Sequence, residues 1–77
     1  MPFTPKQGQY LAFIYYYTKI HGQAPAEAEM VRYFRVSPPT VHQMVLRLEQ
    51  AGLITRISGV ARSIRLRVGK NDIPPLD

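Results

Sequence analysis

The chain changes its hydrophobic period once, at Gly52: before it apolar residues recur every three or four positions, and after it they alternate. The switch confines the fold to helices followed by a hairpin. A helical repeat cannot keep its apolar set on one face of a strand, and a period-two repeat cannot form a helical stripe. Gly22-Gln23-Ala24-Pro25 and Ser37-Pro38-Pro39 divide the part before Gly52 further. The expected order is therefore helix, helix, helix, hairpin, an α+β plan, and no internal repeat complicates it.

Local chemistry places the helix ends. Thr4 caps the first helix, Pro5 occupies the first helical position where its missing N–H costs nothing, Gln7 closes a capping box, and Gly22 terminates. Tyr10, Leu11, Ile14, Tyr17 and Thr18 form its core stripe with Phe13 at the flank, and His21 complements the negative end of its dipole. Tyr15 and Tyr16 point away from that stripe. The second helix, residues 26–34, turns Met30, Val31 and Phe34 inward and sets Glu27 and Glu29 near the positive end of its dipole, although Ala26 caps poorly. Ser37 caps a third helix over 37–51, again with proline at its first helical position, and Val41, Met44, Val45 and Leu48 are its core stripe. Gly52 allows Leu53 to fold back on Leu48 in a Schellman arrangement.

A short helix, a tight turn and a longer capped helix make the helix-turn-helix plan, in which the last helix can enter a major groove. The outer face of that helix carries Pro39, Thr40, Gln43, Leu46, Arg47 and Gln50, with His42 and Glu49 on its shoulder. Gln and Arg offer paired hydrogen-bonding groups that match adenine and guanine edges, and Thr can touch a thymine methyl. The hairpin pairs Leu53–Ile57 with Ser63–Val68 around a loop containing Gly59, with Ile64, Leu66 and Val68 inward. Residues 53–70 hold Arg56, Arg62, Arg65, Arg67 and Lys70 without an acid, half of the chain's ten Lys and Arg. Mixed Lys and Glu would serve solubility; arginine alone suits phosphate. The plan as a whole is three helices, the last two a helix-turn-helix, followed by a two-stranded antiparallel hairpin with a basic face, and double-stranded DNA is the expected partner.

Composition narrows the classes that remain. A length of 77 residues allows one domain, and a net charge of +5 favours a polyanionic partner. With no cysteine there is no disulfide, thiolate metal site or thiol nucleophile. His21 and His42 lie on different helices without carboxylates at ligand spacing, and Glu27 and Glu29, two apart on one helix, cannot converge on a substrate. No catalytic residue, metal site, cofactor or small-molecule substrate is expected. The apolar run Tyr10–Tyr17 is too short for a membrane span, and no signal sequence opens the chain, so a cytoplasmic protein without membrane contact is expected.

Phe3-Thr4-Pro5-Lys6-Gln7, Leu11 with Phe13-Ile14, Gly22, Pro25 and Ser37-Pro38-Pro39-Thr40-Val41-His42 resemble the N-terminal DNA-binding domain of LexA repressors. The likeness continues through Leu48-Glu49-Gln50-Ala51-Gly52-Leu53-Ile54 with Arg56, then Gly59, Arg62 and Ile64, and spans residues 3–68. It implies a winged helix-turn-helix that represses transcription, its third helix reading operator bases through Ser37, Thr40, His42 and Gln43 and its wing touching the backbone through Arg62. Pro39, Arg47, Arg56 and Arg65 complete the expected DNA-binding set. Departures lie at Ala26, where that family has a capping serine, and at Leu46-Arg47, where it has a basic and then a small residue. LexA repressors carry a second, self-cleaving domain; this chain reaches Asp77, so the expectation is a 1–68 domain with a flexible tail, 69–77, and no peptidase. A lone reading helix spans few base pairs, which favours a homodimer, and Tyr15 and Tyr16 are its candidate anchors. The alternative use of the same residues, or of the tail, is a protein-interaction module.

Overall fold

A computed structural model describes residues 3–77; Met1 and Pro2, part of the expected 1–68 domain, lie outside the described residues. Three helices, α1 (Pro5–His21), α2 (Glu27–Phe34) and α3 (Pro38–Gln50), precede an antiparallel pair, β1 (Ile54–Thr55) and β2 (Arg65–Leu66). These are the helices and hairpin expected from the change of period, arranged as the winged helix-turn-helix that the resemblance implies. Among the described residues no helix is long and apolar enough to cross a membrane.

The caps act as their chemistry requires. Thr4 Oγ1 accepts the Gln7 amide at 3.1 Å while the Gln7 side chain accepts the Thr4 amide at 2.9 Å. Gly22, at φ +75°, ends α1 by donating its N–H to the Thr18 carbonyl. At α2 alanine has no side-chain acceptor, so half a capping box forms: Glu29 Oε1 accepts the Ala26 amide at 2.7 Å. Ser37 Oγ accepts the Thr40 amide, and α3 closes with Leu53 N–H to Leu48 O and Gly52 N–H to Glu49 O, both 3.0 Å, which is the expected Schellman pair.

One core unites the elements: Phe3, Tyr10, Leu11, Phe13 and Ile14 with Met30, then Val41, Val45 and Leu48 of α3, then Leu53, Ile54 and Ile64 of the wing. The α1 stripe is broader than its sequence spacing suggests. Tyr10 through Ile14 are all buried, because α1 is covered on more than one side, whereas Thr18 is exposed and returns its hydroxyl to the Ile14 carbonyl at 2.7 Å. An aromatic cluster joins α1 to α2, with Tyr10 stacked on Phe34 (4.1 Å, 10°) and Phe13 against Tyr33 (4.7 Å).

Two expectations are corrected. The paired ladder is two residues per strand, Ile54 opposite Leu66 and Thr55 opposite Arg65, instead of 53–57 against 63–68. Ser63 is the reason: its hydroxyl oxygen accepts the Ile57 amide at 2.9 Å and lies 2.8 Å from the Val60 carbonyl, so a side chain takes over where strand pairing would continue. Alternation still holds in β2 and its flanks, with Ile64 buried, Leu66 and Val68 half-buried, and Arg65 and Arg67 outward. The second correction concerns 69–77. Instead of fraying, it forms a 3₁₀ turn at Lys70–Asp72 and returns over the helices, with Ile73 and Leu76 packed on the core. Gln9 binds it twice, donating Nε2 to the Pro75 carbonyl at 3.0 Å and accepting the Asp77 amide at 2.9 Å, and the Tyr33 hydroxyl donates to the Asp77 carbonyl.

Candidate nucleic-acid interface

Pro39, Thr40, Gln43, Met44 and Arg47 line a shallow depression along the outer side of α3. Thr40, Gln43 and Arg47 follow one another at three- and four-residue spacing, so their side chains rise from one face of the helix. All three are exposed, as is Pro39, while Met44 is half-buried and forms the floor. The Gln43 and Arg47 side chains have no hydrogen-bond or ion-pair partner among the described residues. Ser37 and Thr40 share a hydroxyl contact at 2.9 Å that braces the start of the helix. Leu46, expected on the same face, is half-buried.

His42 sits on the shoulder, its Nδ1 3.2 Å from both carboxylate oxygens of Glu27. That contact makes Nδ1 the donor and leaves Nε2 facing away from the pair. The hairpin arginines divide into two kinds. Arg65 and Arg67 are exposed without an acidic partner among the described residues, as is Arg35, which closes α2 in the left-handed region at φ +55°. Arg56 donates Nε to Glu49 Oε1 at 3.1 Å and is largely covered. Arg62 turns back onto the helices, where its Nη1 lies 2.9 Å from Glu29 Oε1, 3.1 Å from the Tyr17 hydroxyl and 3.3 Å from the Ala24 carbonyl, and its Nη2 lies 3.2 Å from Glu29 Oε2.

These contacts set the local electrostatics. The Ala26 amide, reinforced by Arg62, holds the Glu29 carboxyl below its ordinary range, and the Tyr17 hydroxyl and Glu29 raise the Arg62 guanidinium above its own. Glu27, Glu29 and Glu49 all contact a basic side chain, so the acids of the helical body are spent internally. The structure thus brings Ser37, Pro39, Thr40, Gln43 and Arg47 together, leaves Arg65 outward, and commits Arg56 and Arg62, with His42 half-way between. Arg35 and Arg67 escape a motif-based selection, Arg35 because nothing local marks a turn arginine as exposed.

The remaining candidates lie elsewhere. Tyr15 is half-buried, with the Lys19 ammonium 5.9 Å above its ring. Tyr16 is 37% exposed and Ile20, four residues on, is 75% exposed. The two tyrosine rings meet edge to face at 5.0 Å.

Comparison with known proteins agrees with this geometry. The LexA repressor of Thermosipho melanesiensis is 36% identical over 63 residues, covering 82% of this chain and 32% of that protein. The LexA repressor of Thermotoga neapolitana is 33% identical over 72 residues, covering 92% of this chain and 36% of that protein. The chain spans about a third of the length of these relatives. The family model described as iron dependent repressor, N-terminal DNA binding domain, matches residues 2–56, from the first helix through β1. With the helix-turn-helix and wing in place and the match covering most of its length, the chain belongs to the family of iron dependent repressor N-terminal DNA-binding domains.

Proposed function

We propose that this chain binds double-stranded DNA with sequence preference and acts as a LexA-like transcriptional repressor, occluding a promoter with α3 in the major groove. The observation that carries the reading is the row Thr40, Gln43 and Arg47, three exposed polar side chains on one face of a helix braced by the Ser37 cap. Gln43 supplies the donor and acceptor that match adenine, Arg47 the paired donors that match guanine, and Arg65 and Arg67 supply charge to the backbone. Fluorescence anisotropy of random and selected duplexes at two salt concentrations tests it. Binding that weakens steeply with salt and prefers a selected sequence is expected; salt-independent binding, or none, overturns the reading.

Iron does not enter this reading. The chain has no cysteine, and among the described residues no three His, Asp or Glu side chains converge. His42 and Glu27 are engaged with each other. A second reading concerns assembly. Exposed Tyr16 and Ile20 form a ridge on α1 beside Tyr15, which favours these residues as the anchors of a two-fold interface or of a protein partner's site. Sedimentation equilibrium without DNA decides the homodimer: a monomer at high micromolar concentration, or a dimer that survives Tyr15→Ser with Tyr16→Ser, rejects it.

A further inference from the structure

The wing has little backbone pairing to hold its direction, since the β1–β2 ladder is two residues long. Its loop is nevertheless tied to the helices at both ends, by Arg56 to Glu49 on α3 after β1 and by Arg62 to α1 and α2 before β2. Arg62 adopts φ +59°, a left-handed conformation that a residue with a Cβ keeps only when its surroundings require it. The requirement is visible in its partners. One guanidinium reaches Tyr17 on α1, Ala24 in the α1–α2 connection and both oxygens of Glu29 on α2, residues that lie 33 to 45 positions away in the chain. Glu29 holds the Ala26 amide at the same time, so the acid that closes the start of α2 also receives the wing. A planar, forked cation is the side chain that can meet such a set, and the two parallel contacts to Glu29 fix its direction as well as its position.

We propose that Arg62 is a positioning residue, which with Glu29 bolts the wing to α1 and α2 at the angle needed for DNA, and is not itself a phosphate ligand. The role in DNA binding rests on the proposed function above; the bolt itself can be tested without DNA.

Three variants separate the bolt from a phosphate contact. Arg62→Ala weakens DNA binding by roughly five- to tenfold through lost coupling, but the slope of log K against log salt stays at the wild-type value, whereas a lost phosphate contact reduces it by about 0.9. Glu29→Gln removes a negative charge, so electrostatics alone tightens binding; loss of the bolt weakens it about as much as Arg62→Ala does. Arg62→Lys keeps the charge and loses the fork, and it too binds more weakly. In the free protein, ¹⁵N relaxation of the amides of residues 56–63 shows added mobility in each variant, with the helices unchanged. Unchanged wing relaxation in Arg62→Ala and Glu29→Gln overturns the bolt whether or not DNA binds. A smaller salt slope in Arg62→Ala together with tighter binding by Glu29→Gln returns Arg62 to the phosphates. Failure of the wild-type protein to bind any duplex defeats the proposed function and leaves the relaxation experiment to decide the bolt.

Discussion

Replacing Gly8 with alanine puts two effects of opposite sign in one side chain. In an exposed helix interior this change stabilises by roughly 0.5–1 kcal/mol, because glycine loses the most backbone freedom on folding. Gly8 is not exposed. A Cβ built there stands 3.1 Å from the Phe3 ring and 3.1 Å from Pro74 Cγ, on two different segments, so both must give way by a few tenths of an ångström. The Phe3 ring is backed by the core, and Pro74 is flanked by Ile73 and Leu76, which are packed on it, and by the Gln9 contacts. Overpacking of this kind costs about 1–3 kcal/mol, which set against the helix gain of roughly 0.5–1 kcal/mol leaves a net loss of up to about 2.5 kcal/mol. For a domain of this size that is a fall in Tm of several degrees, on the order of 4–8 °C per kcal/mol. Urea unfolding followed by circular dichroism measures it, and Pro74→Gly in the same background shrinks the loss. A Gly8→Ala protein about 1 kcal/mol more stable than wild type refutes the reasoning, because it means that Pro74 and the segment carrying it do not rest on α1.

Arg35, Arg47, Arg65 and Arg67 lack acidic partners among the described residues; if these four neutralise phosphates, log K against log salt has a slope of about −3.6, and a slope near −5 would mean that a further cation, Lys70 or an Arg56 or Arg62 released from its acid, reaches the DNA. Gln43→Ala erodes discrimination at one base step by about 1–3 kcal/mol while binding to random duplex is retained; uniform weakening across a panel of site variants would mean that Gln43 touches the backbone. The Glu29 carboxyl is held below its unfolded value near 4.5, so its contribution to stability is complete above that pH and is lost as pH falls through the lower folded value. Urea midpoints measured downward from about pH 5 should therefore decline less steeply in Glu29→Gln than in wild type, and identical acid limbs would contradict the Ala26 and Arg62 contacts.

What could be read from the sequence was what a few neighbouring residues decide. Thr4-Pro5 with Gln7, Ser37-Pro38, Gly22 and Gly52 set helix ends because a cap is made within four residues, and the outer face of α3 followed from its period. The rest depends on residues distant in the chain. The acid-free stretch from 53 to 70 suggested free cations, but Glu29 and Glu49 reach Arg62 and Arg56 from α2 and α3. No local signal announces that. Tail docking was hidden for the same reason: Pro and polar residues read as a loose end until Gln9 and Tyr33, on two different helices, supply partners for its backbone. The short ladder turned on the hydroxyl of Ser63, a residue that strand alternation treats as interchangeable with any polar one.

The two bonds from the Gln9 amide have a kinetic meaning. They join residues 66 and 68 positions apart, so they close nearly the whole chain into a ring, and such a closure gains its contacts only after its entropy has been lost. The helices and the hairpin form from nearer neighbours. On this closure argument the docked segment is expected to arrive last on folding and to be absent from the transition state. Interactions absent there act on the unfolding rate. Tightening or loosening this clasp changes how long a folded molecule survives and leaves the speed at which it forms almost untouched.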